Sequence, residues 1–398
     1  MEHSYVATSH PGSAVNYTLS CSFMGDNENN LVLVKGNRFE VYTMDEDGLH
    51  LNIETALYGR ITAVNSFRFQ NASKDVLFIL TERNSFCILE YDETSNSIVS
   101  RAKGNVKDRV SRDICNGQKG LIDPDAKMIG MFLYEGLLKV VPIENSGLKE
   151  AFNLSIEELR HIDVKFLHGF ASPTFCLLYE DNKACRHLNT YVVDIKERVL
   201  REGPWNRSNV EYGQCPLPLR PPFNAVISST CLCVGAHMLI PVPHPHKGVI
   251  VIGQTTITYL TGLDVSISVG VRRTDITACC AFEGDGTRYL LGDRNGNISL
   301  LKLCIGDRSS AVSAMVVEHL GVTSIPESIS SLGHGIVFVG STFGDSQLVK
   351  LLADMNDSES YVRTLETFPN IGPILDMCVL GGERQEQSQV GTSAKCLA

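Results

Sequence analysis

The sequence lacks most features of a membrane protein, an exported protein or a helical protein. Its 398 residues contain no run of about 18 apolar residues, which a membrane-spanning helix needs. The N-terminus lacks the order of basic and then apolar residues that is typical of a signal peptide. Helical periodicity is almost absent, and the best candidate, Ser155 with Glu158 in a capping-box pattern, is one turn long. We interpret it as a turn within a loop, and we expect no membrane span.

Basic charge is also scarce. The chain has 35 Lys and Arg against 45 Asp and Glu, a formal net charge of −10. An acidic protein repels the phosphate backbone, so direct binding of DNA is not expected. The 13 cysteines have no disulfide-framework spacing, and Cys87, Cys176 and Cys304 lie inside apolar runs. With no export signal, this predicts reduced, buried thiols in the cytosol or nucleus.

Catalytic and metal-binding motifs are missing as well. There is no nucleophile elbow, phosphate-binding loop or His-Glu-x-x-His motif. Residues 293–297 resemble the start of a calcium loop, but Ile298 and Cys304 stand where glycine and an acid are needed, so a hairpin turn explains them better. Cys231 and Cys233 do not have the usual zinc-ligand spacing. We therefore predict no enzymatic activity, no metal and no cofactor.

The sequence does contain a repeat of strand, turn and strand. Residues 335–352 form two apolar runs around a short break, the pattern of a β-hairpin. Residues 289–303 repeat this pattern 48 positions earlier, with Gly292 in the place of Gly340. Gly344, in the break, is expected to adopt a positive φ, which a Cβ atom would disfavour.

Seven such breaks occur along the chain. Their spacing is near 48 residues, except that the fourth and fifth lie about 24 residues further apart. A fixed period near 50 built of hairpins indicates an all-β fold, a β-propeller of four-stranded antiparallel blades. The breaks lie at residues 35–37, 82–85, 134–136, 181–183, 254–255, 293–296 and 341–344.

The repeat is irregular in two places. Residues 212–235 change abruptly in composition, and their proline cluster, 216–222, does not fit a central strand, so we expect an inserted, disordered loop. Ile374 begins what resembles an eighth unit, and the chain ends before its hairpin. We therefore expect an incomplete last blade, with residues 1–390 as one propeller and 391–398 as an aberrant tail.

Several segments carry a resemblance to a known family, among them residues 74–81, 101–109, 120–124, 161–169, 340–350 and 372–378. Together they resemble the family of the large subunit of UV-damaged DNA-binding protein. The resemblance is to its first propeller, and it spans nearly the whole chain except 212–235 and the residues after 389. It implies seven blades.

The resemblance also implies a function. That family is an adaptor of cullin-RING ubiquitin ligases in DNA-damage response and protein turnover, in the nucleus and cytoplasm. Its first and third propellers hold helical segments of substrate receptors, and its second propeller binds the cullin. We therefore expect a non-catalytic scaffold with part of the receptor clamp and no cullin site, most simply a truncated form of the family's chain.

Two other functions compete with this one. Large subunits of cleavage-polyadenylation and splicing complexes share the architecture, so the chain could be an RNA-processing scaffold. Those relatives lack the segments at 101–109 and 344–350, which argues against it. An enzyme that uses the central channel would need charged or metal-binding residues at repeated strand starts, and these starts are apolar.

Three patches match the region where the family binds receptors: 331–334, 342–343 and 372–374. The first departs from the family's Tyr-Leu-Asp-Asn pattern, which weakens the case for Ser331. Pro373 and Ile374 belong to the third, although Pro373 could equally be a rigid strand entry.

Phe343 stands where the family has leucine and keeps an apolar residue at the turn, which makes it a candidate hot spot. Alternatively, it folds back onto its own hairpin. Arg109 and Arg112, in a charged loop, are candidates for contact with an acidic partner or for a solvated face.

Overall fold

The computed structural model describes residues 10–372, 378–380 and 391–393, with gaps at 27, 109–110, 145–146, 206–234, 263–265, 283, 307–310 and 357–358. Within these residues every regular element is a β-strand. Seven antiparallel sheets follow one another along the chain, and each contains four strands in sequence order, with one short additional strand in the third. The predicted seven-bladed β-propeller of four-stranded blades is confirmed.

The strands have the following bounds. Blade 1 consists of β1 (Tyr17–Cys21), β2 (Asn30–Lys35), β3 (Arg38–Asp45) and β4 (Gly48–Ala56). Blade 2 consists of β5 (Ile61–Phe67), β6 (Val76–Thr81), β7 (Ser85–Asp92) and β8 (Ser97–Asn105). Blade 3 consists of β9 (Lys119–Ile122), β10 (Met128–Tyr134), β11 (Leu137–Glu144) and β13 (Phe152–Ser155), and β12 (Gly147–Leu148) also pairs with β11. Blade 4 consists of β14 (Arg160–Phe166), β15 (Thr174–Glu180), β16 (Arg186–Asp194) and β17 (Val199–Glu202).

The remaining blades follow the same plan. Blade 5 consists of β18 (Met238–Pro241), β19 (Val249–Ile252), β20 (Thr256–Leu260) and β21 (Ser266–Gly270). Blade 6 consists of β22 (Ile276–Ala281), β23 (Arg288–Asp293), β24 (Asn297–Ile305) and β25 (Val312–Val322). Blade 7 consists of β26 (Ser328–Gly333), β27 (Ile336–Gly340), β28 (Ser346–Leu351) and β29 (Val362–Phe368), and a separate pair is formed by β30 (Cys378–Leu380) and β31 (Gly391–Ser393).

The second strand of a blade is the most deeply buried. Every residue of β6 and of β10 is buried, whereas β8 and β17, which are fourth strands, are largely exposed. A strand between two neighbouring blades needs apolar side chains on both faces, which explains the continuous apolar runs next to each marked turn. Each of the seven marked turns joins the second strand of a blade to the third.

The hydrophobic core consists of clusters that each join two successive blades. Blades 1 and 2 share one cluster, and the series continues around the chain to blades 6 and 7. A further cluster joins blade 7 to blade 1, with Phe338 and Leu348 packed against Leu31, Leu33 and Val15. The core therefore runs around a closed ring.

The ring closes without a shared strand in the described residues, because blades 1 and 7 each use four consecutive strands. The contact between blades 7 and 1, which closes the ring, resembles the contact between blades 6 and 7. A Cβ atom on Gly292 in blade 6 would lie 2.4 Å from Pro326 beside blade 7, and one on Gly340 in blade 7 would lie 2.7 Å from Val15 beside blade 1. The repeat glycines thus permit the close approach of the next blade.

Two details bear on the sequence-based expectations. The seventh blade has all four strands, so the ring of described residues does not depend on an eighth unit. The incomplete last blade was expected from Ile374 onward, and of that stretch only β30 and β31 are described. Ile374 lies outside the described residues, as do all residues of the insertion expected at 212–235 except Gly235. Gly344 does not adopt a positive φ, whereas the matching Gly296 does, at 81°. In blade 7 the hydroxyl of Ser341 accepts a hydrogen bond from the Gly344 N–H (3.1 Å), which fixes this turn in a different conformation.

Ser155 is the last residue of β13, and residues 156–158 lie in the non-helical loop that leads to β14, so no helix forms there, as expected. Among the described residues, no helix could span a membrane.

Candidate functional site

The loops of the propeller lie at its two ends, and one end carries both the turns between second and third strands and the connections between blades. Backbone hydrogen bonds tie these two loop types together. The N–H of Leu57 donates to the Asn37 carbonyl (2.7 Å), and that of Thr323 donates to the Gly296 carbonyl (2.8 Å). We call this end the crossover face.

Exposed apolar side chains are concentrated on the crossover face. Among the large hydrophobic residues that are exposed in the described chain, the opposite end carries only Met355, and the others lie on outer strands or on this face. Exposed apolar side chains on loops that a rigid scaffold holds in place are candidates for contact with a partner. Those on the crossover face are Tyr58, Leu159, Val322, Ile325, Phe343 and Ile371.

Phe343 lies at the tip of the turn between β27 and β28, and its side chain is 63% exposed. It therefore does not fold back onto its own hairpin. The turn beneath it is held from several sides. The amide of Asn370 donates to the carbonyls of Thr342 (3.1 Å) and Gly344 (3.2 Å), and the Asn370 N–H donates to the carboxylate of Asp345 (2.8 Å). The aromatic ring is presented on a preorganised loop.

Two other exposed apolar residues are tied to this turn. The hydroxyl of Ser341 donates to the carbonyl of Ile325 (2.6 Å), and the N–H of Ile371 donates to the hydroxyl of Ser13 (2.9 Å), which in turn donates to Asn370 (2.7 Å). Ile325, Phe343 and Ile371 are thus carried by loops that hydrogen bonds hold together. We call these three residues the Phe343 patch.

The predicted candidate residues do not all lie together. Ser331 belongs to β26, close to the β26–β27 turn at the opposite end, because its pairing partner is Val337 while Ser328 pairs with Gly340. Its hydroxyl lies 3.5 Å from the carbonyl of Phe282. Ser331 and Phe343 therefore lie toward opposite ends of one blade. Arg109, Pro373 and Ile374 lie outside the described residues.

Sequence reasoning missed Tyr58, whose side chain is 92% exposed. The guanidinium of Arg83 lies 5.8 Å from the centre of its ring. Both residues belong to the crossover face, Tyr58 between blades 1 and 2 and Arg83 at the second turn of blade 2. The only sequence signal would have been an aromatic residue beside glycine in a short loop, which is too common to be specific.

The sequence predicted apolar residues at the starts of the first strands, which line the central channel, but the channel also contains charged side chains. First strands of neighbouring blades lie against one another, and Lys119 Nζ on β9 lies 2.8 Å from the carboxylate of Asp163 on β14. The N–H of Leu239 on β18 also donates to this carboxylate (2.8 Å). Burial alone would raise the pKa of Asp163, but Lys165 and Lys119 outweigh it and hold that pKa below its usual range. The charged pair links three blades.

No group of three or more His, Cys, Asp or Glu residues in the described chain is arranged to hold a metal ion. The carboxylate of Asp293 accepts hydrogen bonds from the N–H groups of Asn295 (2.9 Å) and Asn297 (2.8 Å), and from the Thr274 hydroxyl (2.8 Å). The Asp293 carboxylate therefore accepts hydrogen bonds that stabilise a hairpin turn, which is the structure predicted for residues 293–297. Cys231 and Cys233 lie outside the described residues.

Together, these features define the class of the protein: a seven-bladed β-propeller with an apolar, arginine-bearing loop face. Residues 14–369 match the family described as the RSE1/DDB1/CPSF1 first beta-propeller, and the chain belongs to this family.

Several curated relatives are similar over 98% of this chain. "DNA damage-binding protein 1" of Oryza sativa subsp. japonica is 42% identical over 389 residues, which are 34% of its own length. "DNA damage-binding protein 1a" of Arabidopsis thaliana is also 42% identical over 389 residues and 34% of its length. The protein from Solanum lycopersicum is 41% identical over 389 residues and 33% of its length. The chain therefore spans about a third of the length of these relatives.

Proposed function

We propose that this chain is a non-catalytic protein-binding scaffold that provides part of the receptor-binding surface of a cullin-RING ligase adaptor. The adaptor would act in DNA-damage response and protein turnover, in the nucleus and cytoplasm. The observation that carries the proposal is the preorganised Phe343 patch on the crossover face. The names of the relatives, which are DNA damage-binding proteins, support a place in this process.

The Phe343 patch suits a helical segment of a substrate receptor. Such a segment presents apolar side chains at positions i, i+3 or i+4 and i+7, which pack against a small apolar surface. Phe343, Ile325 and Ile371 are 63%, 36% and 40% exposed, so each can bury further area. Full burial of one phenylalanine side chain is worth about 1.5–3 kcal/mol, or roughly 10- to 150-fold in Kd.

The remaining candidate residues stay proposals. Pro373 and Ile374, which follow Gly372 in the sequence, are proposed as further contacts. Arg109, which stands between β8 and β9 in the sequence, is proposed as a contact with an acidic partner, and Ser331 is proposed as a separate contact toward the opposite end. The alternative, a scaffold of an RNA-processing complex, is less favoured because the relatives named above are DNA damage-binding proteins.

The test is binding of a helical peptide from a substrate receptor to residues 1–398, measured by fluorescence anisotropy. We expect Phe343→Glu to weaken binding at least tenfold, because it places a charge in an apolar contact. Met355→Glu is the matched control, since Met355 is 58% exposed at the opposite end. Unchanged urea midpoints establish that both variants fold.

Two results would contradict the proposal. One is equal peptide binding by the Phe343→Glu variant and the unmodified protein. The other is capture of a cullin N-terminal domain by this chain, because the proposal assigns the cullin to another propeller.

A further inference from the structure

Tyr58 is held in an exposed position by the backbone on both sides of it. The N–H of Leu57 donates to the Asn37 carbonyl (2.7 Å), and the N–H of Ile61 donates to the Gly36 carbonyl (2.9 Å). Between them, Gly59 adopts a φ of 131°. A tyrosine that is 92% exposed on such a fixed loop stabilises little within the fold, and it is available to a partner.

Arg83 is presented on an equally fixed turn. The N–H of Asn84 donates to the Thr81 carbonyl (3.0 Å), and Asn84 has a φ of 56°. The buried side chain of Asn84 donates to the hydroxyl of Tyr134 (2.9 Å). The N–H of Glu82 donates to the carbonyl of Arg60 (2.9 Å), which ties this turn to the loop that carries Tyr58.

Arg60 and Arg83 form no ion pair with the carboxylate of any other described residue. The carboxylate of Glu82, which adjoins Arg83 in the sequence, is not in such a pair either. Arg60, Tyr58 and Arg83 are all exposed. Two cations and an aromatic ring therefore face solvent from loops that are held together.

We propose that Tyr58, Arg60 and Arg83 form a second docking point, which binds an acidic segment of a protein partner. The guanidinium groups bind its Asp or Glu carboxylates, and the Tyr58 ring packs against an adjoining apolar side chain. Guanidinium and carboxylate match in geometry, and tyrosine and arginine are the residue types that dominate interface hot spots. This docking point is separate from the Phe343 patch and goes beyond the proposed function.

An acidic protein segment fits better than a nucleic acid. Nucleic acids need several phosphate contacts from an extended cationic surface. Here Arg60 and Arg83 are two arginines on adjoining loops with no ion pair to another described residue, on a chain whose formal net charge is −10. Charge is screened beyond about 8–10 Å at physiological salt, so a short acidic segment at this point is attracted by the local arginines rather than repelled by the whole chain.

The test uses a fluorescein-labelled peptide of six glutamates flanked by leucines, with a hexalysine peptide and an eight-residue oligo(dT) as comparisons. We expect the glutamate peptide to bind at physiological salt, where the charge of the rest of the chain is screened, and the other two not to bind. The double variant Arg60→Glu/Arg83→Glu should weaken binding by about tenfold or more, the magnitude of one charge-assisted hydrogen bond. Tyr58→Ala should weaken it as well, whereas Tyr58→Phe should retain it.

The control is the double variant Arg272→Glu/Arg273→Glu, which makes the same charge change on the crossover face between blades 5 and 6, where both arginines are exposed. If both double variants lose the same peptide affinity, the loss comes from the change in net charge rather than from the docking point, and the proposal is overturned. No binding of the glutamate peptide, or binding of oligo(dT) with the same dependence on Arg60 and Arg83, would also overturn it. Phe343→Glu should leave this binding intact, so the two proposals can fail separately.

Discussion

Replacing Phe338 by alanine should loosen the contact that closes the ring. Phe338 is fully buried in the cluster between blades 7 and 1, where Val15 and Leu33 pack, and its ring centre lies 5.5 Å from that of Phe368. Because the described blades share no strand there, closure depends on this packing and on hydrogen bonds such as that from the Val15 N–H to the Ser341 carbonyl (3.0 Å).

The expected loss is large compared with the stability of a typical domain. Truncation of a fully buried phenylalanine to alanine costs about 3–5 kcal/mol, because transfer energy is lost and a cavity remains. Whole domains have free energies of unfolding of about 5–15 kcal/mol. The variant should therefore unfold at a clearly lower urea concentration, and its effect should be strongest on the strands beside the seam.

Hydrogen exchange measured by mass spectrometry can locate the effect. We expect faster exchange in β1, β2, β26 and β27, which open when blades 7 and 1 separate. The control is Phe175→Ala in blade 4, because Phe175 is also 0% exposed but belongs to a cluster between blades 3 and 4. The reasoning about closure is refuted if β1 and β27 exchange no faster in the Phe338 variant than in the Phe175 variant.

Three further predictions concern the turns, a histidine and the channel. Gly296→Ala should lower the free energy of unfolding by at least about 1–2 kcal/mol, because Gly296 has a φ of 81° and a Cβ atom there would lie 2.3 Å from a backbone oxygen. Gly344→Ala is the control and should change the free energy of unfolding by less than about 0.5 kcal/mol. Burial lowers the pKa of His161. Its contribution to stability is therefore full above about pH 6.5 and is lost as the pH falls through the folded-state pKa. In a plot of urea midpoint against pH, His161→Gln should have a shallower slope than the unmodified protein. Lys119→Met should cost up to about 3 kcal/mol by removing the partner of buried Asp163.

Matched variants distinguish these mechanisms from general damage. Lys302→Met should have little effect, since its pair with Glu318 lies on the surface, with side chains 36% and 48% exposed. A pH slope unchanged by His161→Gln, or equal costs for Lys119→Met and Lys302→Met, would contradict the reasoning.

The repeat could be predicted from the sequence because the second strand of each blade is buried on both faces. A strand such as β6 (Val76–Thr81) is apolar throughout, and its end at a polar turn is easily recognised. The fourth strands give little signal, since β17 (Val199–Glu202) is short and mostly exposed. Hairpin turns therefore predicted the blades, whereas the number of blades came from the family resemblance.

The site could be predicted only in part, because neighbours in sequence are not neighbours on the surface. Ser331 and Phe343 are close in sequence, yet β27 (Ile336–Gly340) runs between them and separates them toward opposite ends. Conversely, Ser13 and Asn370 are 357 residues apart and share a hydrogen bond of 2.7 Å at the seam. The spacing of the sequence repeat does not predict this contact, because it forms only when blades 7 and 1 meet and close the ring.

The crossover face can present varied side chains because its loops are fixed mainly by backbone atoms. The bond from the Leu57 N–H to the Asn37 carbonyl uses no side chain, and similar bonds recur in other blades. The tip residue Tyr58 is therefore not needed to hold its own loop. Blade 7 differs, because the side chain of Asn370 fixes the turn beneath Phe343. Substitutions of Asn370 should thus displace Phe343, while substitutions of Tyr58 should alter only what that loop can contact.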